Sequence, residues 1–338
     1  MKSSDSRCDP DGFVGEFREL LRRFVDMKRA CGRVYATTAD ILRRFSEFSV
    51  KYAAESGDKR DKGDEDGEYG GDVFEAWRRK RPEEMDTTWE HRVDALKQFV
   101  VFLNDLGHVI RVPRCGRRID RDASTPYVFT REELRRFFAE CDAIGPHPRS
   151  NNDILLPTLF RTLYGCGMRI SEAVNIELSD ADLERGILVV RASKFDKDRL
   201  LPVSDSVLRC LREYVFATHP LPEAGVRFFV KKDRAPLNRS TIYKKFRMLL
   251  WRAGISHGGR TKGPRVHDLR HTFAVHSLDK MISEGRHAYN SLPALSAYLG
   301  HASVEATERY VRFTGEAYAD MLEKSRLICG SVFPEFTE

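Results

Sequence analysis

Apolar side chains recur every three or four positions along most of this chain. Phe13, Phe17, Leu20, Leu21, Phe24 and Met27 follow that spacing, and so do Ile41, Leu42, Phe45 and Phe48. This predicts two helices within residues 13–53, the second with Thr38 as a candidate cap. From Glu55 to Asp72 the pattern gives way to Gly, Asp, Glu and Lys, a stretch too polar to bury and expected to be a mobile loop. Helical spacing returns at Val73–Lys80 and at Thr88–Leu106, where Trp89, Val93, Leu96, Phe99, Val100 and Leu103 form a stripe that Gly107 ends. Residues 1–111 are therefore expected to form a unit of four helices. The segment Val112–Pro126, with two prolines, a glycine and several arginines, has the composition of a linker and places a domain boundary near residue 120.

A second domain over 127–311 opens with a capping box, in which Thr130 caps and Glu133 returns the hydrogen bond. Helices are predicted at 131–142, 153–165, 204–216, 238–253, 266–282, 291–299 and 303–310. Two short strands, Gly186–Ala192 and Arg199–Val203, flank the turn-forming run Ser193-Lys194-Phe195-Asp196-Lys197-Asp198. The expected fold class is mainly α with a small β-hairpin in the second domain. A tail over 312–338 still carries apolar residues such as Tyr318, Leu322 and Ile328.

Composition fits two packed domains: 338 residues, 41% hydrophobic and 32% charged. The net charge of +6 is unevenly placed. Residues 191–275 hold 19 Lys/Arg against 7 Asp/Glu, a surplus of 12, so the rest of the chain is acidic by 6. Such a basic segment is the polarity of a surface that tracks a phosphate backbone. The seven cysteines are odd in number, form no CxxC pair and lack a histidine spacing suited to zinc. Together with a Met1–Pro10 stretch lacking an apolar signal core, they imply free thiols and a cytoplasmic setting. No apolar run approaches the ~20 residues that span a bilayer. Neither a nucleotide-binding loop nor a carboxylate cluster for magnesium is present, so no metal or cofactor is expected.

Four short constellations could carry chemistry. In Gly165-Cys166-Gly167-Met168-Arg169-Ile170-Ser171-Glu172, the carboxylate three positions on can orient the Arg169 guanidinium. Lys194, in the hairpin turn, suits a proton donor, and Lys197 in the same turn is an open alternative. In His267-Asp268-Leu269-Arg270-His271, residues 267, 270 and 271 share a helical face. An arginine fork with flanking imidazoles matches a phosphate better than a metal ion. Leu299-Gly300-His301 is followed nine positions later by Tyr310.

In this order, Arg, Lys, His-x-x-Arg, Leu-Gly-His and Tyr closely resemble the catalytic signature of the tyrosine recombinase (phage integrase) family, and the resemblance covers nearly the whole chain. It implies a helical core-binding domain followed by a mixed α/β catalytic domain. It also implies a site-specific recombinase that cuts and rejoins double-stranded DNA through a 3′-phosphotyrosyl intermediate, with Tyr310 the nucleophile. Arg169 and Arg270 would clamp the scissile phosphate, supported by Glu172. His267 and His301 would complete the clamp and assist the tyrosine proton, Lys194 would protonate the departing 5′ oxygen, and His271 would play a supporting part. The resemblance further implies a homo-tetramer on two DNA sites, the tail packing on a neighbouring subunit, and a preference for the mobile-element branch. Phosphate contacts are expected from Lys231, Lys232, Arg239, Lys244, Lys245 and Arg247, with 239, 244 and 247 beside Tyr243 on one helix face. A tyrosine-type topoisomerase and a catalytically silent DNA-binding protein are the rival readings.

Overall fold

The apolar stripes become helices in the computed structural model, which describes residues 11–32, 34–55, 72–112, 126–191, 198–219, 225–259, 263–301 and 303–313. The interior of the charged loop, the linker at 113–125, the turn holding Lys194 and Lys197, and the tail beyond Phe313 lie outside the described residues. The chain divides between Ser124 and Thr125 into two units.

The first unit contains α1 (Arg18–Ala30), α2 (Ala36–Glu55), α3 (Asp72–Arg78) and α4 (Asp86–Asp105). Aromatic rings fill its centre: Phe17 lies 5.5 Å from both Phe45 and Phe74, and Phe24 lies 5.7 Å from Phe99. Each such ring withdrawn from water contributes about 2 kcal/mol. Thr38 does not cap α2, because the helix already begins at Ala36 after Tyr35 turns the backbone with φ 50°. A buried cation went unread in the sequence: Arg92 binds Glu84 at 2.8 and 2.7 Å and packs 4.9 Å from the Trp77 ring.

The second unit begins with the expected capping box, Glu133 N donating to Thr130 Oγ1 at 3.1 Å and Thr130 N to Glu133 Oε2 at 2.8 Å. It contains α5 (Arg131–Asp142), α6 (Asn152–Gly165), the single turn α7 (Ile170–Ala173), α8 (Asp205–Thr218) and α9 (Arg239–Arg252). The later helices are α10 (Asp268–Ser283), α11 (Ala288–Leu299) and the short α12 (Glu305–Glu308). The hairpin is β2 (Ile187–Val190) against β3 (Arg199–Pro202), antiparallel, with Leu188 opposite Leu201 and Val190 opposite Arg199. This register turns Leu188, Val190 and Leu201 inward and leaves Leu200 exposed. A two-residue strand β1 (Ala181–Asp182) extends the sheet; it is too short to leave a period in the sequence.

The helix expected over 303–310 is only α12, after which Arg309 and Tyr310 form a turn. Tyr310 thus lies between α12 and a 3₁₀ turn over Val311–Phe313. A large core joins α5, α6, α8 and α9. A smaller cluster of Ala274, Val275, Leu278, Leu292, Leu295, Leu299, Tyr310 and Val311 lies between α10, α11 and the final segment.

Candidate active site

The first turn of α10 carries His267, Arg270 and His271, and the chain folds back on it from two directions. Arg270 is 1% exposed, and burial of so large a cation requires partners. It finds them in two carbonyls distant in sequence, Gly167 O and Leu299 O, each at 2.7 Å. Both are offered by glycine-dependent turns. Gly167 has φ +57°, and a β-carbon there would come within 2.5 Å of the Phe273 ring. Gly300, with φ +66°, ends α11 in the left-handed conformation, and a β-carbon there would stand 3.1 Å from the Arg199 side chain.

Arg169 comes to the same place from α7. Its backbone N–H donates to Glu172 Oε2 at 2.8 Å, its guanidinium binds Glu172 Oε1 at 2.7 Å, and a second arm reaches Gly300 O at 3.2 Å. The two arginines thus hang from the adjacent carbonyls of Leu299 and Gly300. Glu172 is gripped from the other side by Arg199, at 3.0 and 2.8 Å, while Arg199 Nε donates to Tyr298 O at 3.1 Å. Burial alone would raise the Glu172 pKa, but the hydrogen bonds and charge of Arg199, joined by Arg169, hold it down at about 2.

That depression has a measurable consequence. Stability from ionised Glu172 is complete above the ordinary value of 4.5 and is lost as pH falls toward 2. The Glu172→Gln protein is expected to be less stable than wild type near neutrality by about 3 kcal/mol, the two melting temperatures converging through that acid window. A melting difference that stays constant from pH 6 to about pH 3 would refute the assignment.

Tyr310 is fully buried, its ring seated in the smaller apolar cluster. Its hydroxyl lies 2.8 Å from His271 Nδ1, and the Arg309 guanidinium lies over the ring, its carbon 5.5 Å from the ring centre. His301 stacks on the same ring at 6.2 Å and bonds Thr307 Oγ1 through Nδ1 at 2.7 Å. His267 meets His271 edge-on at 4.6 Å. Burial, then the charges of Arg270 and Arg169, lower the pKa of His267 to about 4 and of His301 to about 3. Burial and the neighbouring Arg169 bring Arg270 itself down to about 9. Burial raises the Tyr310 pKa. A pocket so crowded with positive charge that its imidazoles are forced neutral is one that an anion would relieve.

The structure therefore gathers Arg169, Glu172, His267, Arg270, His271, His301 and Tyr310, while Lys194 and Lys197 are outside the described residues. Sequence reasoning missed Arg199, Arg309 and Thr307. The signal for Arg199 was present, a lone arginine opening the second strand directly after the turn. The basic residues assigned to phosphate contacts divide between two surfaces. Arg239, Lys244 and Arg247 are exposed along α9 with Tyr243, whereas Lys231, Lys232 and Lys245 line a cavity of about 220 Å³ together with Arg149 and Asn238. Among the described residues no acidic, histidine and cysteine group could hold a metal, and no helix is long and apolar enough to cross a membrane.

Comparison with known proteins places this geometry. The profile of the phage integrase family matches residues 127–316, which contain every residue of the cluster. A protein of Sinorhizobium fredii that carries the provisional name integrase/recombinase y4rB is 25% identical over 92% of this chain and 97% of its own. Tyrosine recombinase XerA of Thermococcus kodakarensis is 29% identical over 70% of this chain and 74% of its own. Among solved structures, the Tn1549 transposon integrase in complex with a circular intermediate DNA shares the fold with a TM-score of 0.60. It is 17% identical and covers 90% of this chain and 99% of that one. A lambda integrase tetramer bound to a Holliday junction gives a TM-score of 0.53 at 16% identity, over 89% of this chain and 82% of that one.

Proposed function

This chain belongs to the phage integrase family as a tyrosine-type site-specific DNA recombinase, and from that premise we propose that it breaks and rejoins duplex DNA through a 3′-phosphotyrosyl intermediate on Tyr310. The observation that carries the reading is the suspension of Arg169 and Arg270 from neighbouring carbonyls beside the Tyr310 hydroxyl. Two guanidinium forks so placed bind the non-bridging oxygens of one phosphodiester and neutralise the charge that grows on them as phosphorus becomes five-coordinate. His267 and His301, neutral in their cationic surroundings, donate ring N–H groups to the same oxygens. Lys194 supplies a proton to the departing 5′ oxygen. The new phosphate ester keeps the energy of the broken one, so a different 5′-hydroxyl can displace the tyrosine without any energy source.

DNA is held along the exposed face of α9 and by the lysine-lined cavity, contacts that give affinity without sequence. Four copies act on two sites, a reading supported by the lambda integrase tetramer bound to a Holliday junction, and the likeness to a transposon integrase supports work on a mobile element. The direct experiment uses duplexes nicked a few bases from the cleavage point, so that the short 5′-hydroxyl strand diffuses away. An SDS-stable protein–DNA adduct that maps to Tyr310 is expected. Relaxation of supercoiled plasmids lacking any selected site, with no exchange of strands between partners, would instead make the protein a topoisomerase.

A further inference from the structure

We propose that His271, rather than His267 or His301, takes the proton of Tyr310 as its oxygen attacks phosphorus, a role that rests on the strand-cleavage reading above. The hydroxyl has one proton to give, and its hydrogen-bond partner is His271 Nδ1 at 2.8 Å. The Arg309 guanidinium lies over the ring, its carbon 5.5 Å from the ring centre. Burial favours the neutral imidazole, and with its own hydrogen on Nε2 the ring accepts at Nδ1 the proton the phenol offers.

The remaining imidazoles are turned to other uses. Nδ1 of His301 is engaged by Thr307 Oγ1 at 2.7 Å, and its ring lies 26° from the plane of the Tyr310 ring, showing the phenol a face rather than a nitrogen. His267 meets His271 edge-on, the ring centres 4.6 Å apart. Direct proton transfer needs heavy atoms about 2.6–3.2 Å apart, and among the described residues His271 is the imidazole that meets this at the phenol.

The surroundings keep that nitrogen vacant. His267 and Arg270 on the same helix, Arg265 just before it, and Arg309 and Tyr310 from the facing segment surround the ring. Burial, then the neighbouring His267 ring and the Arg309, Arg265 and Arg270 cations, push its pKa down to about 2, so the acceptor is unprotonated at any working pH. A bound phosphodiester brings negative charge among the same cations and raises the affinity of the imidazole for a proton at the step that uses it. In that step the Oη–H proton passes to His271 Nδ1, the Oη–P bond forms, and the P–O5′ bond breaks with its electron pair and a proton from Lys194 going to O5′. Rejoining runs the same transfers backward, the imidazolium returning its proton to the leaving phenol.

The test uses the full chain. Wild-type protein first selects its own probe from nicked duplexes carrying a randomised segment, by SDS-stable attachment. If nothing attaches, strand cleavage itself is wrong and the proposal goes with it. With a probe in hand, His271→Asn is the informative variant, because the amide oxygen accepts the same hydrogen bond but takes no proton. Attachment is expected to slow by roughly 10²–10⁴-fold, with DNA binding and melting close to wild type. The loss should persist when sulfur replaces the bridging 5′ oxygen, since a thiolate leaves without a proton, and the residual rate should climb with pH. A His271→Asn rate within about threefold of wild type would reduce the contact to positioning and overturn the proposal, as would full recovery on the sulfur substrate. His271→Gln, read in the same way, serves if the asparagine protein melts early.

Discussion

Replacing Tyr310 by phenylalanine is expected to leave DNA binding within about twofold of wild type while covalent attachment falls below detection, a loss of at least roughly 10⁴-fold. The separation follows from where the side chain sits. Its ring packs among Leu278, Leu292, Leu295 and Leu299, and phenylalanine fills that space equally well. Only the oxygen is lost, and with it the hydrogen bond to His271. The structural cost is about 1 kcal/mol, too little to unfold the unit. The chemical cost is complete, since among the described residues no other phenol shares the cluster. Filter binding and SDS gels on one probe measure both. Persistent attachment by the phenylalanine protein would remove Tyr310 as nucleophile.

Arg270→Lys carries the second large effect and is expected to fail in two ways at once. A lysine keeps the charge, but its single ammonium cannot reach Gly167 O and Leu299 O together and still face a phosphate. One buried carbonyl is left without a donor, which lowers stability by about 1–3 kcal/mol. Loss of a planar fork from the transition state should cut attachment by at least roughly 10³-fold, somewhat more than a single oxyanion donor. Single-turnover attachment and chemical denaturation read the two effects separately. Attachment within about tenfold of wild type would show that position 270 supplies charge and no geometry.

How far the sequence carried the site depends on the range over which each contact acts. Glu172 and Arg169 are three residues apart, and their pairing was readable from spacing. The capping box at Thr130 was likewise local and formed as written. The position of Arg199 at the head of the second strand was visible but its role was not, because it lies in reaching Glu172 and Tyr298 across the fold, at separations of 27 and 99 residues. The His271 hydroxyl contact spans 39 residues, and nothing in the Arg-His dipeptide distinguishes it from a packing residue. Helix ends were missed at two places: α2 starts earlier than Thr38 suggested, after Tyr35 with positive φ, and α12 stops before Tyr310 although apolar spacing continues.

The neighbouring carbonyls of Leu299 and Gly300 make a single pivot for both phosphate-binding forks. Their separation is set by one peptide unit at the end of α11, itself fixed by Gly300, and so cannot drift when either arginine's own element shifts. The nucleophile comes from a separate stretch of chain, the turn after α12, whose ring packs against α10 and α11. A substrate gripped by the yoke can therefore stay in register while the tyrosine arrives, bonds and departs. Reversible exchange needs that independence, since the same phosphorus must be presented unchanged to two successive attackers.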